Sequence, residues 1–269
     1  MEEACLEASY KLRQDAKVLL EKSVTSNNTR AGSQVLAQLI ANYQAAASKK
    51  MPLCQDCGYI TAFAELGNKV VIEDGTLSEA IQGGVSGAYS YHNLRQSVIA
   101  DALFERDNFK PRKMAKIHIS LTRGDKLKIT IMPKGGGSDN ASRMKMMKPT
   151  AGVEEILEFI TKTIKETAIS ACPPLFIGVG IGGSFDTVGV LAKKALLKSF
   201  EKPNTDPKLD KLEKYILEAV NKLGIGPGGL GGDVTALGVS VLTGPSHMAS
   251  LPVAININCN SLRSVEIQF

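Results

Sequence analysis

Apolar residues recur every three or four positions through 6–24 (Leu12, Ala16, Leu19, Leu20) and again through 35–47, which predicts helices. Asn27, Asn28 and Gly32 break the run, so the first fifty residues read as a helical hairpin. From residue 51 the texture changes. Short runs at 59–66 and 69–72 flank Gly67 and Asn68 and predict strands. Thr76 and Glu79 stand at capping-box spacing and start a helix that runs toward Leu94. Runs at 116–121 and 127–132 flank Arg123-Gly124-Asp125 and read as a hairpin. Residues 153–168 form the clearest amphipathic pattern, with Ile156, Phe159, Ile160 and Ile164 on one side. A strand at 175–179, a glycine turn, helices at 186–200 and 209–223, a glycine-rich loop at 224–232 and strands at 236–242, 252–256 and 264–269 complete the reading. This alternation predicts an α/β (mixed α+β) fold. We expect one domain over 1–269, with a helical segment at 1–50 and a core of mixed strands flanked by helices at 51–269.

The 269 residues are 43% hydrophobic and 22% charged, with a net charge of +5. That composition supports a packed core and excludes a disordered chain. The charge is spread, with no basic block interleaved with aromatics, so nucleic acid is not an expected partner. The start, Met1-Glu2-Glu3, lacks the positive charge of a secretory signal. Residues 234–262 contain no Asp, Glu, Lys or Arg, but Gly238, Gly244, Pro245 and Pro252 make them buried strands and loops rather than a membrane span. Five cysteines are too few, and odd in number, for a disulfide scaffold. The expectation is a cytoplasmic protein with free thiols and no membrane partner.

Three constellations could carry chemistry. Gly178-Val-Gly180-Ile-Gly182-Gly183 fits G-x-G-x-x-G between a strand and a helix, as in a dinucleotide site. No second strand with an acidic end follows. The competing reading is that glycines let strand and helix backbones approach closely. Cys54-Gln-Asp-Cys57 is a C-x-x-C, which suits a dithiol redox or binding module, but the residues after it read as a strand and not as the helix such motifs open. Zinc is disfavoured, since His92, His118 and His247 form no ligand pair and there is no second C-x-x-C. Cys54, Cys172 and Cys259 each sit near a strand end, compatible with convergence on one metal cluster or with three small buried hydrophobes.

At these residues the sequence resembles the iron–sulfur class of fumarate hydratases, the class I hydro-lyases that also include L-tartrate dehydratase. More narrowly, it resembles the α subunit of the two-subunit form. The matching words are Pro52-Leu-Cys54-Gln-Asp-Cys57-Gly58, Leu94-Arg95-Gln-Ser97-Val98, Gly124-Asp-Lys-Leu-Lys-Ile-Thr130, Pro133-Lys-Gly-Gly-Gly-Ser138, Ala171-Cys-Pro-Pro174, the 178–183 glycine turn and Ser246-His-Met-Ala-Ser-Leu-Pro252. They stand in family order, whereas the first fifty residues match loosely. The resemblance implies a 4Fe-4S cluster held by Cys54, Cys172 and Cys259, one iron open as a Lewis acid. Cys5 and Cys57 would be bystanders, Cys57 standing where the family usually has Thr. The implied reaction is reversible dehydration of (S)-malate to fumarate, with L-tartrate as the alternative substrate. By resemblance, Gln55, Asp56, Arg95 and the Gly137 N–H would bind substrate. His247 and Asp56 would take the catalytic roles. Arg95 would clamp a carboxylate through its planar fork.

Two segments depart from the family pattern, Arg106-Asp-Asn-Phe-Lys-Pro-Arg-Lys113 and Asn260-Ser-Leu-Arg263. The family's smaller β part has no counterpart in the 269 residues. We therefore expect a β subunit partner, an α2β2 assembly, and little activity from this polypeptide alone. Aerobic purification is expected to destroy the cluster.

Overall fold

In the computed structural model, which describes residues 1–106 and 114–269, the chain begins with α1 (Glu2–Tyr10), α2 (Gln14–Ser26) and α3 (Arg30–Lys49). Then come β1 (Tyr59–Gly67), α4 (Leu77–Tyr91), β2 (Ala115–Thr122), β3 (Leu127–Lys134), α5 (Gly136–Asn140) and β4 (Arg143–Met147). The remainder is α6 (Val153–Thr167), β5 (Leu175–Gly182), α7 (Val188–Ala195), α8 (Pro207–Asn221), β6 (Ala236–Gly244), β7 (Leu251–Asn258) and β8 (Val265–Gln268). The architecture is α/β with mixed sheets. The amphipathic run at 6–24 is divided between α1 and α2, because Lys11 and Arg13 are extended. The chain divides into two compact units, interleaved in sequence.

The first unit holds Met1–Leu12, Asn42–Gly136 and Arg263–Phe269. Its sheet has the order β2-β1-β3-β8, with β1 parallel to β2 and antiparallel to β3. The expected hairpin is therefore split. β2 and β3 adjoin in sequence, but β1 lies between them. Burial explains the placement: β1 is buried on both faces from Ile60 to Ala64, which demands a central position, whereas Ile119 and Leu121 of β2 are exposed as an edge allows. The expected strand at 69–72 is absent. Residues 67–70 instead turn back on the β2–β3 connection, the Lys69 N–H donating to the Gly124 carbonyl, and Val71 is 79% exposed. Thr76 and Glu79 form the capping box that the sequence predicts. α4 buries Ile81, Val85, Ala88 and Tyr89 in a core with Ile60, Ile129, Ile131 and α1.

The second unit holds Arg13–Ala41 and Gly137–Leu262, with sheet order β4-β7-β5-β6. β5 runs parallel to β6 and antiparallel to β7. α6 packs Ile156, Ile160 and Ile164 into a core with Ile177, Val179, Ile255 and Ile257. α7 lies on β5 through the glycine stripe. A Cβ on Gly178 would come 2.2 Å from the Ala192 carbonyl oxygen, and one on Gly180 would come 2.6 Å from that of Val188. Close helix–strand approach thus accounts for these glycines without a nucleotide. The charge-free stretch at 234–262 contains β6 and β7. No helix among the described residues is long and apolar enough to cross a membrane.

Candidate active site

The Cys54 loop enters β1 in the first unit. It is tied at its start by the Leu53 N–H, which donates to the Ser9 carbonyl at 2.9 Å, and by the Asn42 Nδ2, which donates to the Leu53 carbonyl at 2.9 Å. Asp56 folds the loop. Its Oδ1 accepts from the Gly58 N–H at 2.9 Å and its Oδ2 from the Gly136 N–H at 2.8 Å. Gly58 has φ +68°, and a Cβ there would stand 2.2 Å from the Lys134 carbonyl oxygen. Cys57 is buried beneath the loop. Its Sγ accepts the Arg95 N–H at 3.3 Å, and the Tyr89 hydroxyl donates to its carbonyl at 2.9 Å. The loop leaves Cys54 half-buried and Gln55 exposed. Arg95 is anchored by its backbone on Cys57 and also has an exposed side chain.

In the second unit the sheet brings two of the expected ligands together. Cys172 follows a 3-10 turn at Ala168–Ala171 and precedes β5, while Cys259 directly follows β7. Phe176 pairs with Asn258, so both cysteines lie at the same end of the ladder. Asn260 joins them: its backbone N–H (3.4 Å) and its Nδ2 (2.9 Å) both donate to the Cys172 carbonyl. Cys172 is exposed in a left-handed conformation, φ +54°, and Cys259 is half-buried. Gly137 adjoins the Cys172 arm. A Cβ there would lie 2.6 Å from the Ser170 carbonyl oxygen. Its N–H falls in the first turn of α5, where no intrahelical acceptor exists.

His247 sits elsewhere in this unit. The loop between β6 and β7 carries it beyond Gly244, which pairs with Gly182 at the far end of β5. The eight residues of β5 span roughly 25 Å, so the ring and the Cys172–Cys259 pair occupy opposite ends of one sheet. The exposed ring is oriented by the Ala249 N–H, which donates to Nδ1 at 3.1 Å, and the neutral tautomer therefore carries its proton on Nε2. Neither other histidine offers a similar group: His118 stacks on Phe63 with centroids 5.0 Å apart, and His92 pairs with Glu2 at 2.9 Å.

The five cysteines, none of them in a disulfide, fall into two physical groups. Burial pushes the Cys5 thiol up to about 12. Burial also raises Cys57, against the smaller opposing effects of the Arg95 N–H and the Arg263 charge. Such thiols stay protonated and make poor ligands. Cys54, Cys172 and Cys259 are the accessible ones. Among the described residues, no three His, Cys, Asp or Glu side chains are grouped to hold a metal ion. Soft, accessible thiols are the donors that an iron–sulfur cluster would take, and Cys54, Cys172 and Cys259 are each of that kind. Asn260 stands out in the sequence only as a departure from the family pattern; its two bonds to the Cys172 carbonyl carry no local signal. Of the departing segment Arg106–Lys113, residues 107–113 lie outside the described residues.

The profile of the family described as Fumarate hydratase (Fumerase) matches residues 1–268. A protein of Methanocaldococcus jannaschii with the provisional name L(+)-tartrate dehydratase subunit alpha is 37% identical over 259 residues, covering 94% of this chain and 90% of the relative. The L(+)-tartrate dehydratase subunit alpha of Escherichia coli strain K12 is 28% identical over 255 residues, covering 93% of this chain and 83% of the relative. The same-named subunit of Shigella sonnei matches to the same extent. The chain belongs to the fumarate hydratase family, and it is a hydro-lyase.

Proposed function

We propose that this chain is the α subunit of an iron–sulfur hydro-lyase that interconverts (S)-malate and fumarate. A 4Fe-4S cluster would be held by Cys54, Cys172 and Cys259. The observation that carries this reading is the double hydrogen bond from Asn260 to the Cys172 carbonyl, which keeps two accessible cysteines side by side and beside Gly137. The cluster, when bound, supplies a Lewis-acidic iron for the substrate hydroxyl. The chain's own residues bind and orient. The Arg95 fork takes one carboxylate in two parallel hydrogen bonds. The Gly137 N–H donates to the substrate, and Gln55 is a second polar group for it. Asp56 shapes the loop through its two backbone contacts and keeps lone pairs for the substrate side. In the forward direction the C3 proton leaves to a base and the C2–O bond breaks, so a double bond and one water form.

His247 enters this scheme with a geometric condition. Its own Cys172–Cys259 pair is at the other end of the sheet, so a ring that serves as proton donor near substrate comes from a second copy of the chain. The relatives named as tartrate dehydratase α subunits favour L-tartrate as a second reading of the substrate. Their subunit naming also supports a β partner. The glycine words at 135–138 and 181–184 resemble those of fumarases and favour malate. The test is to reconstitute the chain with its β partner without oxygen and measure water loss from malate and from L-tartrate. Turnover of malate well above tartrate is the expected result. Equal or greater turnover of tartrate would move the assignment to tartrate dehydratase, and turnover of neither would sink both.

A further inference from the structure

Arg263 opens the C-terminal segment of the first unit, four residues after Cys259 in sequence. It is 3% exposed, and its Nε and Nη1 atoms are buried without a hydrogen-bond partner among the described residues. Its charge acts on the Cys57 thiol and the Tyr89 hydroxyl, in both cases lowering a group that burial raises more strongly. The guanidinium is therefore within electrostatic reach of Cys57, which closes the loop that carries Cys54. The acid that shares these neighbours, Asp56, already accepts from Gly58 and Gly136. A guanidinium does not lose its proton, so a buried fork without an acceptor is destabilising until an anion meets it.

The burial discriminates between anions. A substrate carboxylate leaves at each turnover and needs an open route, which the exposed Arg95 provides. A buried fork suits an anion that stays. We propose that Arg263 is the resident counter-charge of the iron–sulfur cluster, its Nε–H and Nη1–H donating to the anionic sulfur of the assembly held through Cys54. This rests on the cluster reading above. Arg263 is a positioning residue and makes no contact with substrate. A positive charge at that place stabilises the more negative, reduced cluster and offsets repulsion among sulfides and thiolates, so it raises the reduction potential and slows cluster loss.

The test compares wild type, Arg263→Met and Arg263→Lys as full chains co-expressed with the β partner and purified without oxygen. Three quantities are read: the rate at which a chelator bleaches the visible absorbance, the midpoint potential, and the melting temperature of the metal-free protein. Arg263→Met is expected to lose its cluster about tenfold faster, to shift the potential negative, and to raise the melting temperature of the metal-free form by removing an unpaired buried charge. Arg263→Lys is expected to keep a potential near that of wild type. Equal cluster retention in wild type and Arg263→Met, or a metal-free Arg263→Met that melts lower than wild type, would overturn the proposal in favour of a core-packing role. A potential in Arg263→Lys as low as in Arg263→Met would overturn the charge argument. A wild-type chain that takes up no cluster at all would overturn the cluster reading itself, before any variant is compared.

Discussion

At the scale of single residues, the cysteines divide by environment. Cys54→Ser, Cys172→Ser and Cys259→Ser are each expected to abolish brown absorbance and bound iron after anaerobic reconstitution, because a hydroxyl is a poor ligand for iron in a sulfide cluster. Cys57→Ser should retain both, since that sulfur is buried and already accepts the Arg95 N–H. Iron retained by any of the first three would count against the ligand set. Asp15 is a second informative residue. Burial pushes its carboxyl up, but the Arg13 guanidinium, bonded at 2.6 Å through Nε and Nη2, together with the Phe200 and Ala16 N–H groups, holds it below its ordinary value. A carboxyl depressed in the folded state contributes stability that is complete above its unfolded value and is lost as pH falls through the folded one. Chemical denaturation should therefore show this stabilisation intact above about pH 5 and fading below about pH 4, with Asp15→Asn removing about 2 kcal/mol at neutral pH. A flat difference between wild type and Asp15→Asn across that window would contradict the argument.

At the scale of elements, local pattern read most helices and strands correctly and strand neighbours poorly. The capping box at Thr76 and Glu79 involves residues three apart and was visible without a fold. The β2–β3 pairing was not, since the strand that separates them comes some fifty residues earlier in the chain. A turn at Arg123–Asp125 looks the same whether its strands touch or flank a third. The glycine stripe of β5 was ambiguous in sequence between phosphate binding and close packing, and the contacts resolve it toward packing on α7. Gly178→Ala should accordingly cost about 2 kcal/mol or more through overpacking, its methyl facing the Ala192 carbonyl 2.2 Å away. Denaturant melts of the variant measure this, and a neutral effect would mean that α7 is free to shift.

At the scale of the whole molecule, His247 sets the sharpest condition. If each site takes this ring from a second copy, a chain carrying His247→Ala and a chain carrying Cys259→Ser should each be inactive alone with the β partner. Co-expressed, they should regain about a quarter of wild-type activity by random pairing in a two-fold assembly, because a mixed pair contains one intact thiol set facing one intact ring. Activity assays of the tagged hybrid check this. A hybrid as inactive as its parents would place ring and thiols in one chain and require a different route for the proton.

Composition, helical and strand periodicity, the capping box and the family words were all readable in one dimension, because each depends on residues close in sequence or on an ordered set of short motifs. Those suffice for an α/β hydro-lyase with three singled-out cysteines. Neighbourhood across the sheets was not readable, because pairing is settled by which strand can be buried on both faces, and that is a property of the assembled core. Burial also separated Cys57 from Cys54 and left Arg263 Nε and Nη1 without an acceptor among the described residues, and the sheet put His247 a full strand length from Cys172. In each case the deciding quantity is distance between groups remote in the chain, which no local pattern encodes.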